Sequence, residues 1–184
     1  KGKLKNTILL KTGVYKFSET IILPKGIELI IEPGAELQFN TGVSLVSYGK
    51  ISALGTRNNP IIFHGEKNKT LWGVVGLLHE QSGGIFKNCI FEGGGEAFVN
   101  GVYFSGMLAA HYTNLEVQNS IFQKASMEGG DDAINVKYGK IFISDSYFYK
   151  NRGDAIDLDF VKIGSEILNS YFLKNGNDGI DISG

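Results

Sequence analysis

The sequence predicts an all-β chain wound into one solenoid, each coil adding short strands that pair in parallel with the coils before and after it. Three observations carry that expectation. No long stretch places apolar residues at i, i+3, i+4 and i+7, so helical periodicity is missing. Two short phrases recur in constant order at a near-constant interval. And 25 glycines against 3 prolines provide many turns without rigid ones.

The first phrase reads "NCIF" at Asn88, "NSIF" at Asn119, "DSYF" at Asp145 and "NSYF" at Asn169, at intervals of 31, 26 and 24 residues. The second reads "DAINVK" at Asp132, "DAIDLD" at Asp154 and "DGIDIS" at Asp178, at intervals of 22 and 24. Tight hairpins would set neighbouring strands antiparallel. A period of this length without helices instead stacks whole coils, with equivalent side chains about 4.8 Å apart in ladders. A leucine-rich repeat has a similar period, but its spaced leucines are missing.

Taken in order, residues 1–80 form looser opening coils and residues 85–184 the regular repeats. "YKFSETIILPKGIELIIEPGAELQF", from Tyr15, reads strand, turn, strand, turn. In the repeats, Phe91, Phe122, Phe148 and Phe172 are expected as one internal stack. Asn88, Asn119 and Asn169 are expected at turns, with Asp145 as the substituted member. Alternation in "DAIDLD" points Ile156 and Leu158 inward and Asp157 and Asp159 outward. Ala133, Ala155 and Gly179 read as small outward residues beside a shallow groove. Two insertions interrupt the rhythm: "KASMEGG" before Asp132, and an excursion in the 31-residue interval, where "YFSGMLAAHYTN" stands.

Composition bounds the rest. The 184 residues are 42% hydrophobic and 20% charged with net charge −1, which fits a single β-helix domain over 1–184 rather than a disordered chain. Near-neutral charge argues against nucleic acid as a partner. No apolar run reaches spanning length, so no membrane insertion is expected. The lone Cys89 precludes an intrachain disulfide and reads as a small core residue. "KGKLKNTILL" lacks the organisation of a signal peptide. The chain stops within "DGIDISG", inside a repeat phrase. It is therefore expected to be a fragment of a longer protein, with flanking domains and an open C-terminal end prone to self-association.

"LIIEPGAELQF", "GKISALGT", "NPIIFHG" and the pair Trp72–Gly73 resemble the first coils of right-handed parallel β-helix proteins of the pectate-lyase-like class. The series "GDDAIN", "GDAIDLDF", "NDGIDISG" is similar to β-helix regions of bacterial spore-coat kinase-like and envelope surface proteins. The expected fold is a right-handed parallel β-helix of roughly seven coils, truncated at its C-terminal end. The resemblance implies an extracellular or cell-envelope location. It leaves activity open, because such helices host lyases, hydrolases, epimerases, adhesins and spacers.

The second phrase also builds columns of charge. Asp132, Asp154 and Asp178 share the turn position, with Glu96 in "EAFVN" as an earlier member. Asn135, Asp157 and Asp181 share the first outward position; Lys137, Asp159 and Ser183 share the next. Two readings stand side by side. Turn aspartates accept backbone N–H hydrogen bonds, and Lys137 opposite Asp159 offsets charge, so the columns can be architecture alone. Alternatively Asp157, Asp159 and Asp181 hold a weak Ca²⁺, as in acidic-polysaccharide lyases of the class resembled. A smaller share goes to acid/base work by an aspartate pair. Candidate ligand-binding residues are Asn135, Asp157, Asp181, Tyr147 and Tyr171, the tyrosines as a sugar-stacking pair. Candidates for catalysis are Asp157, Lys137 and Arg152, with Lys140 and Lys162 as solvated cations. His64, His79 and His111 read as surface or turn residues. "NKT" at Asn68 fits a glycosylation acceptor, without standing in a bacterial protein. The expected function is a surface or envelope module that binds polysaccharide or supports neighbouring domains. The alternative is a Ca²⁺-dependent lyase or epimerase acting on acidic sugars.

Overall fold

The computed structural model describes residues 6–67, 70–125 and 132–184. Their regular structure comprises three seven-stranded parallel sheets and one two-stranded antiparallel hairpin, with no helix among the described residues. The chain visits the first sheet, the second and the third, then begins again one coil further on. Seven passes through each sheet match the coil count expected from the repeats. "KASMEGG" beyond Ala125, and Asn68, lie outside the described residues.

The first phrase is one corner of the solenoid, and each letter has a physical task. Asn88, Asn119, Asp145 and Asn169 turn the chain from the first sheet to the second with φ of 49°, 48°, 51° and 47°. Left-handed backbone is disfavoured for most side chains, and Asn and Asp tolerate it best. The corner keeps its place in the ladder, since the Asn119 N–H still donates to the Ser144 carbonyl at 3.1 Å. The next position is serine in three copies. Ser120 Oγ donates to the Gln118 carbonyl at 2.9 Å and accepts the Cys89 N–H at 3.1 Å. Ser146 Oγ likewise accepts the Ser120 N–H, and Ser170 Oγ the Ser146 N–H. Cys89 occupies the serine position of an earlier coil and is buried, as expected for a small core residue. Burial raises its thiol pKa well above the ordinary range, so it stays protonated and inert.

The fourth letter builds the core. Phe91, Phe122, Phe148 and Phe172 are in register and stack with centroids 4.8, 5.2 and 5.2 Å apart. Phe63 extends the stack by one coil at 4.3 Å. A second stack, Phe17, Phe39 and Trp72, fills the opening coils. Gly94 makes room for it, because a Cβ there would lie 2.6 Å from the indole.

A further ladder escaped the sequence reading. Asn151 Oδ1 accepts the Ala125 N–H, and Asn175 Oδ1 accepts the Asn151 N–H, closing the corner between the second and third sheets.

Three expectations are corrected. Ala133 and Ala155 are fully buried members of the core, and Gly179 faces the Phe172 ring, where a Cβ would lie 3.5 Å away. Ala155 and Gly179 precede their strands, so alternation does not apply to them, and Ala133 is the second residue of Asp132–Lys137, whose first five residues are all buried. Glu96 does not head the turn-aspartate column, because Gly106 is the register partner of Asp132. The excursion is the antiparallel hairpin Ala97–Val99 and Val102–Phe104, while "GMLAAH" is a regular strand of the third sheet.

Candidate functional site

That hairpin divides the outer face of the third sheet. Its Phe104 packs with Val46, Val74 and Ala109, and Tyr48, Leu78, Val99 and Val102 complete an apolar roof. Gly76 permits the contact, since a Cβ there would lie 3.1 Å from the Phe104 ring. The roof covers Leu45–Ser47, Val75–Leu78 and Gly106–His111. Beyond it, Asp132–Lys137, Ile156–Asp159 and Ile180–Ser183 carry polar side chains outward.

Those side chains stand in the predicted register. Ala109, Asn135, Asp157 and Asp181 form one column; His111, Lys137, Asp159 and Ser183 form the next. Lys137 Nζ lies 2.8 Å from Asp159 Oδ2. Asn135 is fully buried, and its amide donates to Asp157 Oδ2 at 2.7 Å. Its Oδ1 lies 3.0 Å from His111 Nε2. With the amide nitrogen committed to Asp157, the oxygen accepts from His111, so the imidazole proton sits on Nε2.

His111 is thus not a surface or turn residue. It is 4% exposed, stacks on Phe104 at 4.9 Å and marks the boundary between the roofed and open halves. Burial lowers its pKa and the charge of Lys137 adds to that, against the raising influence of the Asn135 hydrogen bond and Asp159. Asp157 is shifted upward, first by burial and then by the like charge of Asp159, with Lys137 and Asn135 opposing. His64 does lie on the surface, against Glu36 at 2.9 Å, and His79 does occupy a turn. Only spatial stacking reveals the special place of His111; its one sequence signal is that "AAH" falls in the slot of "NVK" one coil on.

The turn column has a different character. Asp132 and Asp154 are buried, and each carboxylate accepts the N–H of the next coil's aspartate: Asp154 N to Asp132 Oδ1 at 2.9 Å, Asp178 N to Asp154 Oδ1 at 2.6 Å.

The structure separates the other candidates from this face. Tyr147 and Tyr171 are register neighbours on the second sheet, with Tyr171 exposed. Arg152 is exposed at the turn before Asp154, and its backbone N–H donates to the Ala125 carbonyl. A different aromatic row borders the polar columns. Tyr112, Tyr138 and Phe160 each follow a third-sheet strand at positive φ, and they stack at 5.0 Å with half-exposed edges. Its rings cover one another's faces, so it offers ligands mainly an edge. The reading of the sequence missed this row, whose signal is the aromatic closing "AAHY", "NVKY" and "DLDF".

A Ca²⁺ ion would need oxygens of Asp157, Asp159 and Asp181 free to converge on it. Among the described residues, no group of three or more His, Cys, Asp or Glu is arranged to hold a metal ion. The Lys137 ammonium stands on Asp159 and the Asn135 amide on Asp157, where a cation would compete for the same oxygens. A cation bound there would have to displace both contacts.

No protein-family model matches the chain, and no curated protein matches it. The fold itself defines the class: a parallel β-solenoid of three sheets.

Proposed function

We propose that this chain is a surface or envelope β-solenoid module that binds polysaccharide on the open half of its third sheet. The observation that supports the reading is the division of that sheet. The hairpin roofs the first coils with apolar side chains and leaves Asp157, Asp181, Lys137 and Asp159 facing outward. Donors and acceptors there repeat once per coil, about every 4.8 Å. That step is close to the length of one sugar unit in an extended chain, so a glycan along the solenoid axis meets a polar side chain at the equivalent position of each coil. Asn135 and His111 hold Asp157 in place from beneath. The module carries no chemistry of its own in this reading.

Affinity electrophoresis through gels containing neutral, acidic or amino-bearing polysaccharide tests the proposal. Retardation by at least one polymer, lost in Asp157→Ala with Asp181→Ala, is the expected result. Unchanged mobility in every gel, or retardation untouched by the substitutions, overturns it.

A further inference from the structure

A groove of about 320 Å³ crosses the first sheet, on a different face from the polar columns. It arises because two outward positions are small: Ser52 in one column and Gly83 in the next, where nothing but the Asn114 carbonyl would come within 4 Å of a Cβ. Ile85 and Phe142 flank this notch, and Ile85 is 37% exposed, high for an isoleucine.

The rim is cationic. Lys50, Gly83, Asn114 and Lys140 occupy equivalent places in four successive coils, so the two lysines stand three coil steps apart, about 14 Å. Neither makes an ion pair among the described residues. Glu28 is the register neighbour of Lys50 but takes the Ser52 hydroxyl instead, and Glu116 inside the groove is held by Lys87 at 3.0 Å. The groove therefore combines a mostly apolar middle, in which Glu116 is already tied to Lys87, with a lysine outside any such ion pair at each end, Lys140 reaching over Gly164 of the next coil.

We propose that this groove docks an extended acidic segment of a partner polypeptide, with a central apolar side chain in the Gly83 notch and carboxylates toward Lys50 and Lys140. Length and charge both select this occupant. Four extended residues span about 13–14 Å, the separation of the lysines. A sugar would leave hydroxyls against Ile85 and Phe142, and desolvating them is unfavourable.

The probe is acetyl-Asp-Leu-Leu-Asp-amide, titrated into the isotope-labelled chain and followed by amide chemical shifts. Saturable shifts at Ser52, Gly83, Gly84, Ile85 and Phe142 are expected, with Kd in the range of about 0.1–1 mM for so small a ligand. Lys50→Glu with Lys140→Glu, and separately Ile85→Asp, should each weaken binding by about tenfold or more. All three positions are exposed, so spectra elsewhere should match the wild type; Lys25→Glu controls for net charge and should bind normally. Equal binding of acetyl-Lys-Leu-Leu-Lys-amide or of hexanoate, shifts on another face, or no saturation by about 5 mM overturns the proposal.

Discussion

The backbone N–H of Asp178 donates to Asp154 Oδ1 at 2.6 Å, one coil below it. With the matching bond from Asp154 to Asp132, this relationship explains why aspartates recur. Each carboxylate caps the turn of the next coil, and stacking identical turns lines the carboxylates up. Replacing Asp154 by Ala removes the acceptor of a buried chain and should cost about 1–3 kcal/mol. Asp154→Asn keeps an oxygen there and should recover most of it. Urea midpoints of the two variants decide the matter; an equal loss in both would show that the carboxylate's charge, not the bond, is what counts.

Phe148 is fully buried between Phe122 and Phe172. Phe148→Ala should destabilise by about 3–5 kcal/mol, because the rigid coils above and below cannot collapse into the gap. A loss under about 1 kcal/mol in denaturant unfolding would contradict the stacked core.

At the corner, Asn119 holds φ of 48°. Asn119→Val forces a β-branched residue into left-handed backbone and should cost more than 1–2 kcal/mol, roughly, whereas Asn119→Gly should be nearly neutral. Thermal unfolding of the pair checks this, and similar losses in both would mean that the side-chain amide matters more than the dihedral.

Acidification should weaken the fold through His111. Its folded pKa lies below the unfolded value of about 6.5, so the unfolded chain binds the proton first as pH falls. Stability from this group is complete above the imidazole range and is lost as pH falls through it. Asp157 acts oppositely, because its raised folded pKa lets the fold bind a proton first as pH falls towards about 3.9. Urea midpoints measured from about pH 7 to pH 5 should therefore fall in the wild type and fall less in His111→Gln. Parallel curves would refute the assignment.

Much of this architecture was legible because a solenoid converts sequence period directly into register. The pairings Asn135–Asp157–Asp181 and Lys137–Asp159 follow from aligning one phrase. Residues at corners were harder. Ala155 turns inward because the strand has not yet begun, and Asn151 caps a corner whose phrase, "KNRGD" against "KNGND", is too short to stand out. The roof was illegible for another reason: Phe104 and His111 meet through the hairpin's fold-back onto the third sheet, which no repeat specifies. Tyr147 and Tyr171 were rightly placed in one column, but period alone does not say which face of the solenoid a column occupies.

The central claim is that the aspartates belong to the stacked turns and the outward columns to a polar surface, not to a metal cage. Calorimetric titration with Ca²⁺, on the wild type and on Asp157→Asn, tests it most directly. The account predicts no binding tighter than about 10⁻⁴–10⁻³ M and little change in the variant. Binding near about 10⁻⁶ M that Asp157→Asn abolishes would contradict it and favour a calcium-dependent lyase or epimerase on the same face.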